Sequence, residues 1–384
     1  MSQTTAEVPE AVSPRPPGDT GAHASAKKTA TPRVPLWDNA RFVCVTLVVI
    51  GHGIQRLTAD SNNALIVYLF LYAFHMPAFA LISGYFSKSG APTHRQLKRV
   101  LTDILLPYFV LETIWTLVQF LVEGKQEFNP TTPSWTLWFL LALGIFRLIL
   151  PYLALIRWPL IWAVVFSIGV GYLGNIDSTL SLARAIGILP FFVLGWKMKE
   201  WGLVERWRLV ERTTWWIRSL AIAVLAGWLT VVVLFIQTWR EVDLRFWFFY
   251  DESYAGLGEN QWWAGFVRLG LIGLATVLSF AFLVLMPRST TWFTSFGQST
   301  MYVYLLHSFV LYPLRETGVL TGEHSSLSWL VSMIFACIAI SIALSSPLVR
   351  RVFRPIVEPR LPWLFVRPDD GRPSKRDPTG SKRE

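Results

Sequence analysis

Arg41 and His52 have side-chain types and a spacing that suit chemistry inside an apolar helix. They are eleven positions apart, and eleven steps of about 100° return a helix to within roughly 20° of its starting direction. Both side chains therefore share one helical face, about 16 Å apart along the axis. Asp38 lies one turn before Arg41 and is predicted to pair with it. Because a polar stripe of this kind is costly in lipid, it predicts a channel through the protein; a purely structural ion pair is the alternative.

Other ionisable side chains interrupt later apolar stretches, namely His75, Glu112, Arg184, Arg268 and His307. Each also has a structural interpretation. Arg268 lies near a predicted helix start and is expected to extend to the membrane interface, and Glu112 is expected to bond a neighbouring helix as an alternative to a functional role. A lone histidine is equally typical of a satisfied core position, but three histidines in one bundle indicate a site more strongly.

The elements that position these residues are predicted to be membrane helices. Hydrophobic residues make up 53% of the 384 residues and charged ones only 16%, against about 25% charged in soluble domains, which excludes an ordinary soluble or a disordered protein. A spanning helix needs about 20 apolar residues. Ten stretches qualify, near 36–57, 64–86, 104–122, 135–154, 159–174, 181–196, 215–237, 263–286, 298–314 and 326–348. The fold class predicted is an all-α polytopic membrane bundle of about 10 helices.

The distribution of basic residues predicts the topology of this bundle. With the N-terminus inside, the cytoplasmic segments hold 27 of the 35 Lys and Arg residues and the outer loops hold five, as the positive-inside rule expects. The net charge of +10 therefore needs no nucleic acid to explain it, and both termini are predicted to be cytoplasmic. We expect a disordered tail over 1–35, a membrane domain over 36–348, a basic tail over 349–384, and a multi-pass protein of the plasma (inner) membrane.

Several short motifs follow one another in a specific order. They are Asp38-Asn39-Ala40-Arg41 with His52; Phe74-His75-Met76-Pro77; Ser83-Gly84-Tyr85; Leu137-Trp138-Phe139-Leu140; Pro190-Phe191-Phe192 with Gly195; and Gly297-Gln298-Ser299-Thr300 leading to Tyr304-Leu305-Leu306-His307. Together they resemble the acyltransferase 3 family of integral membrane acyltransferases over about residues 36–348, and the His-Met-Pro form looks closest to the fucose 4-O-acetylase-like branch.

The resemblance implies transfer of an acyl group, usually acetyl, from cytoplasmic acyl-CoA to a hydroxyl of a sugar, polysaccharide or small-molecule acceptor. His52 would act as general base, or as an acyl-accepting nucleophile, because histidine has an ordinary pKa of about 6.5. Arg41 would stabilise the thioester oxygen or a CoA phosphate, with Asp38 orienting it. The resemblance assigns substrate or cofactor binding to His75, Arg184, His307, Trp138 and Ser83. Acyl-CoA and membrane lipid are the expected partners, and no metal is expected.

Three further classes of protein share some of these features. A transporter also places Arg and His within its spans, although no inverted repeat is visible in the sequence. A haem protein using paired intramembrane histidines would share them as well, and so would a catalytically inactive scaffold. The aromatic segment from Trp239 to Trp263 predicts either sugar stacking or, as the simpler interpretation, an interfacial aromatic belt.

Overall fold

The structure, a computed structural model, describes residues 33–124, 129–174, 179–209, 214–259, 261–316, 326–359 and 363. All regular elements within these ranges are helical, as the all-α prediction requires. Residues from Val34 onward form one compact unit. The predicted tail over 1–35 lies outside the described residues up to position 32, and so does most of the tail predicted over 349–384.

The described residues form sixteen α-helices, which we number in chain order. They are α1 (Pro35–Ile54), α2 (Asn62–Tyr72), α3 (His75–Tyr85), α4 (His94–Val100), α5 (Leu106–Glu123), α6 (Trp138–Leu153), α7 (Pro159–Val170), α8 (Leu182–Glu200), α9 (Leu203–Leu209), α10 (Thr214–Leu234), α11 (Ile236–Glu241), α12 (Leu244–Trp247), α13 (Ala264–Leu285), α14 (Thr300–Glu316), α15 (Leu327–Leu344) and α16 (Pro347–Val357). The last of these extends regular helix into the segment that we predicted as a tail.

Each of the ten apolar stretches contains a helix, but the helices differ in length. Seven helical segments of the described chain are long and apolar enough to cross a membrane: Pro35–Thr58, Asn62–Tyr85, His94–Glu123, Thr179–Glu200, Trp215–Leu234, Ala264–Leu285 and Leu327–Leu344. The other three stretches hold the shorter helices α6, α7 and α14. Several apolar helices of spanning length make this a multi-pass membrane protein.

The second span is broken between α2 and α3. Phe74 leaves helical geometry with φ −142° and ψ −19°, and Pro77 follows within the first turn of α3. Because proline lacks a backbone N–H, a continuous helix here would lose a hydrogen bond. His75 uses the break: its Nδ1 donates to the Leu71 carbonyl at 2.9 Å.

A close helix crossing joins α3 and α8 through two glycines. A Cβ on Gly84 would lie 1.9 Å from the Phe192 carbonyl oxygen, and a Cβ on Gly195 would lie 1.9 Å from the Leu81 carbonyl oxygen. Small residues allow helix backbones to approach each other in membranes. This crossing requires glycine on both helices. The sequence motifs that contain Gly84 and Gly195 therefore both contribute to one packing contact.

The start of α1 is anchored by the side chain of Asn39. Its amide donates to the carbonyls of Pro287 and Ser289 at 3.0 and 3.1 Å, and its oxygen accepts hydrogen bonds from the hydroxyls of Thr291 and Thr294. A fully buried amide with all four bonds made holds its helix in one position. The neighbouring Arg41 is thereby placed in a fixed register.

Candidate active site

A large cavity lies at the end of the bundle where α1 begins, which we call the Arg41 end. Its volume is about 570 Å³, within the range typical of ligand sites. It is walled by parts of α1, α3, α4, α6 and α14. Four basic residues line it, namely Arg41, Lys88, Arg99 and Arg147, beside one acidic residue, Asp103. The excess of positive charge suits an anionic ligand.

Arg41 is held at this cavity by two contacts. Its Nη1 lies 3.3 Å from Asp38 Oδ1, which is the pairing that the one-turn spacing predicted. Its guanidinium also lies over the Phe86 ring, 4.3 Å from the centroid. A carboxylate and an aromatic face together orient the planar cation. Asp38 thus contacts Arg41 and is not among the residues that line the cavity.

Ser83 and a distorted helical turn complete the cavity wall. The hydroxyl of Ser83 donates to the Phe79 carbonyl at 2.9 Å, within its own helix. Opposite, Leu101–Leu105 forms a π-helical turn that leads into α5 and brings Asp103 and Ile104 to the cavity. Single π-helical turns are frequent at functional sites because they redirect side chains from a regular helix.

His52 and His307 lie side by side in the interior of the bundle. Their ring centroids are 5.5 Å apart. His307 Nδ1 lies 3.0 Å from the Val303 carbonyl oxygen, and because a carbonyl only accepts, that nitrogen carries the hydrogen. The lone pair of His307 is therefore on Nε2. Within the described part of the chain, this Nε2 and His52 Nδ1 are both buried without a hydrogen-bond partner.

Tyr304 connects the histidine pair to the large cavity. It lines that cavity, and its ring centroid is 6.2 Å from that of His307, one turn further along α14. Its hydroxyl donates to the Thr136 carbonyl. A continuous row of side chains therefore runs from the basic cavity through Tyr304 and His307 to His52.

Arg184 and Trp138 lie together beside this row. The guanidinium of Arg184 is 5.1 Å from the Trp138 ring centroid and forms an ion pair with Asp251. Two residues that the resemblance assigned to binding are thus brought together, and Asp251, from the aromatic segment after α12, is added to them.

His75 lies in the core, away from the large cavity. Beyond its bond to the Leu71 carbonyl, its ring contacts Tyr72 at a centroid distance of 4.6 Å, and its backbone carbonyl accepts a weak hydrogen bond from the buried thiol of Cys44. These contacts are those of a satisfied core histidine. Among the described residues, no group of three or more His, Cys, Asp or Glu side chains is arranged to hold a metal ion.

The structure differs from our expectation for Arg268. It does not extend to the interface: it is only 1% exposed, with its guanidinium over the rings of Tyr250 and Tyr254 at 5.0 and 5.2 Å. Burial raises the pKa of Tyr250, and that of Tyr254 to about 12, so both phenols stay neutral. The segment before α13 folds back over the helix start, which sequence position alone did not reveal.

Three residues near His52 were missed by sequence reasoning. Trp135, Arg56 and Arg315 line a second, small cavity with His52 at the opposite end of the bundle, which we call the His52 end. Hydropathy placed the two arginines in outer loops, and nothing in the spacing of Trp135 connected it to His52. The contact arises only because α1, α14 and the segment before α6 converge.

Comparison with known proteins identifies the family of this chain. A sequence profile described as an acyltransferase domain, that of acyltransferase 3, matches residues 35–346. The chain belongs to the acyltransferase 3 family. As an acyltransferase 3 protein it is also similar to nodulation protein NolL of Mesorhizobium japonicum (strain LMG 29417 / CECT 9101 / MAFF 303099), with 28% identity over 195 residues. That match covers 45% of this chain and 51% of NolL, so the chain spans about half the length of this relative. No solved structure matches the chain at a significant level.

Proposed function

We propose that this acyltransferase moves an acyl group, acetyl in the simplest case, from acyl-CoA to a hydroxyl group of an envelope sugar, glycan or small molecule. The donor is bound at the Arg41 end, which the distribution of basic residues assigns to the cytoplasm. The acceptor approaches from the His52 end. In this proposal ten helices span the plasma membrane, with α6, α7 and α14 as short spans and both termini cytoplasmic.

One observation carries the proposal: the basic cavity leads through Tyr304 to the His307–His52 pair. In this proposal the anionic part of the donor stays at one membrane surface, and its reactive end enters between these side chains toward His52. A basic cavity without the Tyr304–His307–His52 row would support only the binding of an anionic ligand. A histidine pair without the cavity would have no site for the donor.

The donor's phosphates are assigned to the basic lining of the cavity. Arg41, Arg99 and Arg147 each offer guanidinium hydrogen bonds of the kind that phosphates accept. Arg41 and His52 are about 16 Å apart along α1 and line different cavities. They therefore do not act on the same carbonyl, and of the two roles expected for Arg41 we propose phosphate binding.

His52 is proposed as the general base. It accepts the proton of the acceptor hydroxyl while the hydroxyl oxygen attacks the thioester carbonyl carbon. The tetrahedral oxyanion then collapses, the carbon–sulfur bond breaks, and the departing sulfur takes the proton from His52. The products are an ester and free CoA. We assign Arg184, which lies over the Trp138 ring and pairs with Asp251, to stabilising the oxyanion.

The test uses purified protein in lipid nanodiscs, with radiolabelled acetyl-CoA and a panel of methyl glycosides. We expect label on a glycoside with wild-type protein, and a loss of about 100-fold or more in His52→Ala at matched folded yield. Exposed Trp292→Ala is the matched control. Release of label as free acetate without an ester product would indicate hydrolysis alone. Unchanged label carried into sealed proteoliposomes, with no ester formed, would favour a transporter, and equal rates in wild type and His52→Ala would contradict the role of His52.

A further inference from the structure

The loop before α6 is tied to two helices, α5 and α14, at three closely spaced points. The hydroxyl of Tyr108 donates to the Pro130 carbonyl at 2.6 Å, and that of Tyr304 donates to the Thr136 carbonyl. Between them, the buried carboxylate of Glu112 accepts hydrogen bonds from the backbone N–H of Ser134 at 3.0 Å and from its hydroxyl at 2.6 Å. The Glu112 carboxylate therefore fixes the position of Ser134, the residue that precedes Trp135.

Trp135 adopts a strained backbone between two of these points. Its φ is +39°, in the left-handed region that a residue with a side chain rarely adopts. Such a conformation persists only where the surroundings over-determine it, and it is concentrated at sites where a side chain must be aimed. Here Glu112 fixes the preceding residue and Tyr304 fixes the following one, so the backbone that sets the direction of the indole is held on both sides.

That direction brings the indole against His52. The two rings meet edge to face with centroids 5.6 Å apart, and the guanidinium of Arg315 lies 5.3 Å from the centroid of Trp135. Arg56 braces this arrangement, since it donates to the Arg315 carbonyl at 2.8 Å and to Glu316 at 3.0 Å. The imidazole is thus walled by an aromatic ring and bordered by two guanidinium groups.

The space left beside His52 is very small. The cavity that His52, Gln55 and Trp135 line has a volume of about 10 Å³, close to the smallest that holds one water molecule. A hydroxyl group fits this space, whereas a sugar ring does not. Any ring that bears the hydroxyl must therefore stay outside, where the indole of Trp135 and the cation of Arg315 border the opening.

We propose that Trp135, aimed by Glu112 through Ser134, is the acceptor-positioning residue of this enzyme. The acceptor is a sugar whose protruding hydroxyl enters the space beside His52. Its ring rests against Trp135, with Arg315 donating hydrogen bonds to the ring hydroxyls. This inference rests on the proposed function, because it assigns the acceptor side of the same reaction.

The kinetic test compares Trp135→Ala, Trp135→Phe and Glu112→Gln with wild type in nanodiscs, using acetyl-CoA and the methyl glycoside that wild type acetylates fastest. We expect Trp135→Ala to raise the KM for the glycoside about tenfold or more and to leave the KM for acetyl-CoA within twofold. Trp135→Phe should restore most of the affinity, and Glu112→Gln should lie between. Trp292→Ala, which removes a 72% exposed tryptophan, is the control. An unchanged glycoside KM in Trp135→Ala, or equal changes in both KM values, would overturn the proposal.

A second measurement needs no acyl transfer. Diethyl pyrocarbonate modifies accessible imidazoles, and the modification of His52 is followed by mass spectrometry of its peptide. We expect His52 to react several-fold faster in Trp135→Ala and in Glu112→Gln than in wild type, and at the wild-type rate in Trp292→Ala. Equal rates in all four proteins would overturn the proposal that Trp135 covers His52. If wild type acetylates no glycoside but His52 still reacts faster in Trp135→Ala and Glu112→Gln, the proposed function is contradicted. The shielding of His52 by Trp135 is then still supported.

Discussion

His52 on α1 and His307 on α14 meet with their ring centroids 5.5 Å apart, although they are far apart in the sequence. The Val303 carbonyl fixes the tautomer of His307, which leaves the lone pair of Nε2 buried and without a partner among the described residues. An imidazole with a free lone pair at this distance can accept a hydrogen bond from the His52 ring once that ring has taken up a proton. We therefore expect His307 to support catalysis through His52.

Replacing either histidine should impair turnover to different degrees. We expect His52→Ala to reduce kcat about 100-fold or more, because it removes the proposed base. His307→Ala should cost about tenfold or more and leave the KM for acetyl-CoA unchanged, since His307 acts through His52. The measurement is steady-state acetyl transfer at matched folded yield. A His307→Ala variant with wild-type kcat would remove His307 from the mechanism.

The basic cavity predicts which substitutions weaken donor binding. Arg147→Gln and Arg99→Gln should each raise the KM for acetyl-CoA about tenfold with little change in kcat, because a hydrogen bond to a charged group contributes about 1.5–3 kcal/mol. The effect should shrink at high salt, which screens exposed charges. Exposed Arg157→Gln, which is not among the residues lining the cavity, is the control. An equal rise in KM for Arg157→Gln would indicate a general charge effect.

The crossing of α3 and α8 predicts a large loss of stability. Gly84→Ala and Gly195→Ala each place a Cβ 1.9 Å from a backbone carbonyl oxygen of the facing helix. Backbone cannot yield as a flexible side chain does, so we expect a cost above the typical 1–3 kcal/mol of overpacking, roughly 3 kcal/mol or more. The measurements are folded yield and thermal stability in detergent. Gly227→Ala and Gly273→Ala, whose Cβ positions meet open space, should fold normally; a loss of stability in them as large as that in Gly84→Ala would refute the explanation.

The ion pair between Arg184 and Asp251 predicts energetic coupling between α8 and the segment after α12. Both side chains are partly buried. Single variants Arg184→Gln and Asp251→Asn should therefore each destabilise the protein, and the double variant should lose less than their sum, with a coupling of about 1 kcal/mol. Unfolding in detergent measures the four members of the cycle. Strict additivity would show that the contact contributes nothing to stability.

Sequence alone determined the features that depend on near neighbours. Hydropathy placed a helix in each apolar stretch, because burial of a spanning segment in lipid depends on its own twenty or so residues. The pairing of Asp38 with Arg41 followed from a one-turn spacing. The order of the motifs assigned Arg184, Trp138 and His307 to the candidate site, but it did not indicate which side chains they contact. The family match then confirmed the resemblance to the acyltransferase 3 family.

Tertiary structure alone decided which of these residues meet. The pairing of His52 with His307 depends on how α1 packs against α14, and no spacing within either helix specifies it. The direction of Trp135 comes from Glu112 and Tyr304, which belong to two different helices. The prediction that Arg268 extends to the membrane interface was wrong for the same reason, because the segment before α13 folds over it and buries it. Whether a segment forms a helix in lipid depends on its own residues, whereas which side chains meet depends on how several helices pack together.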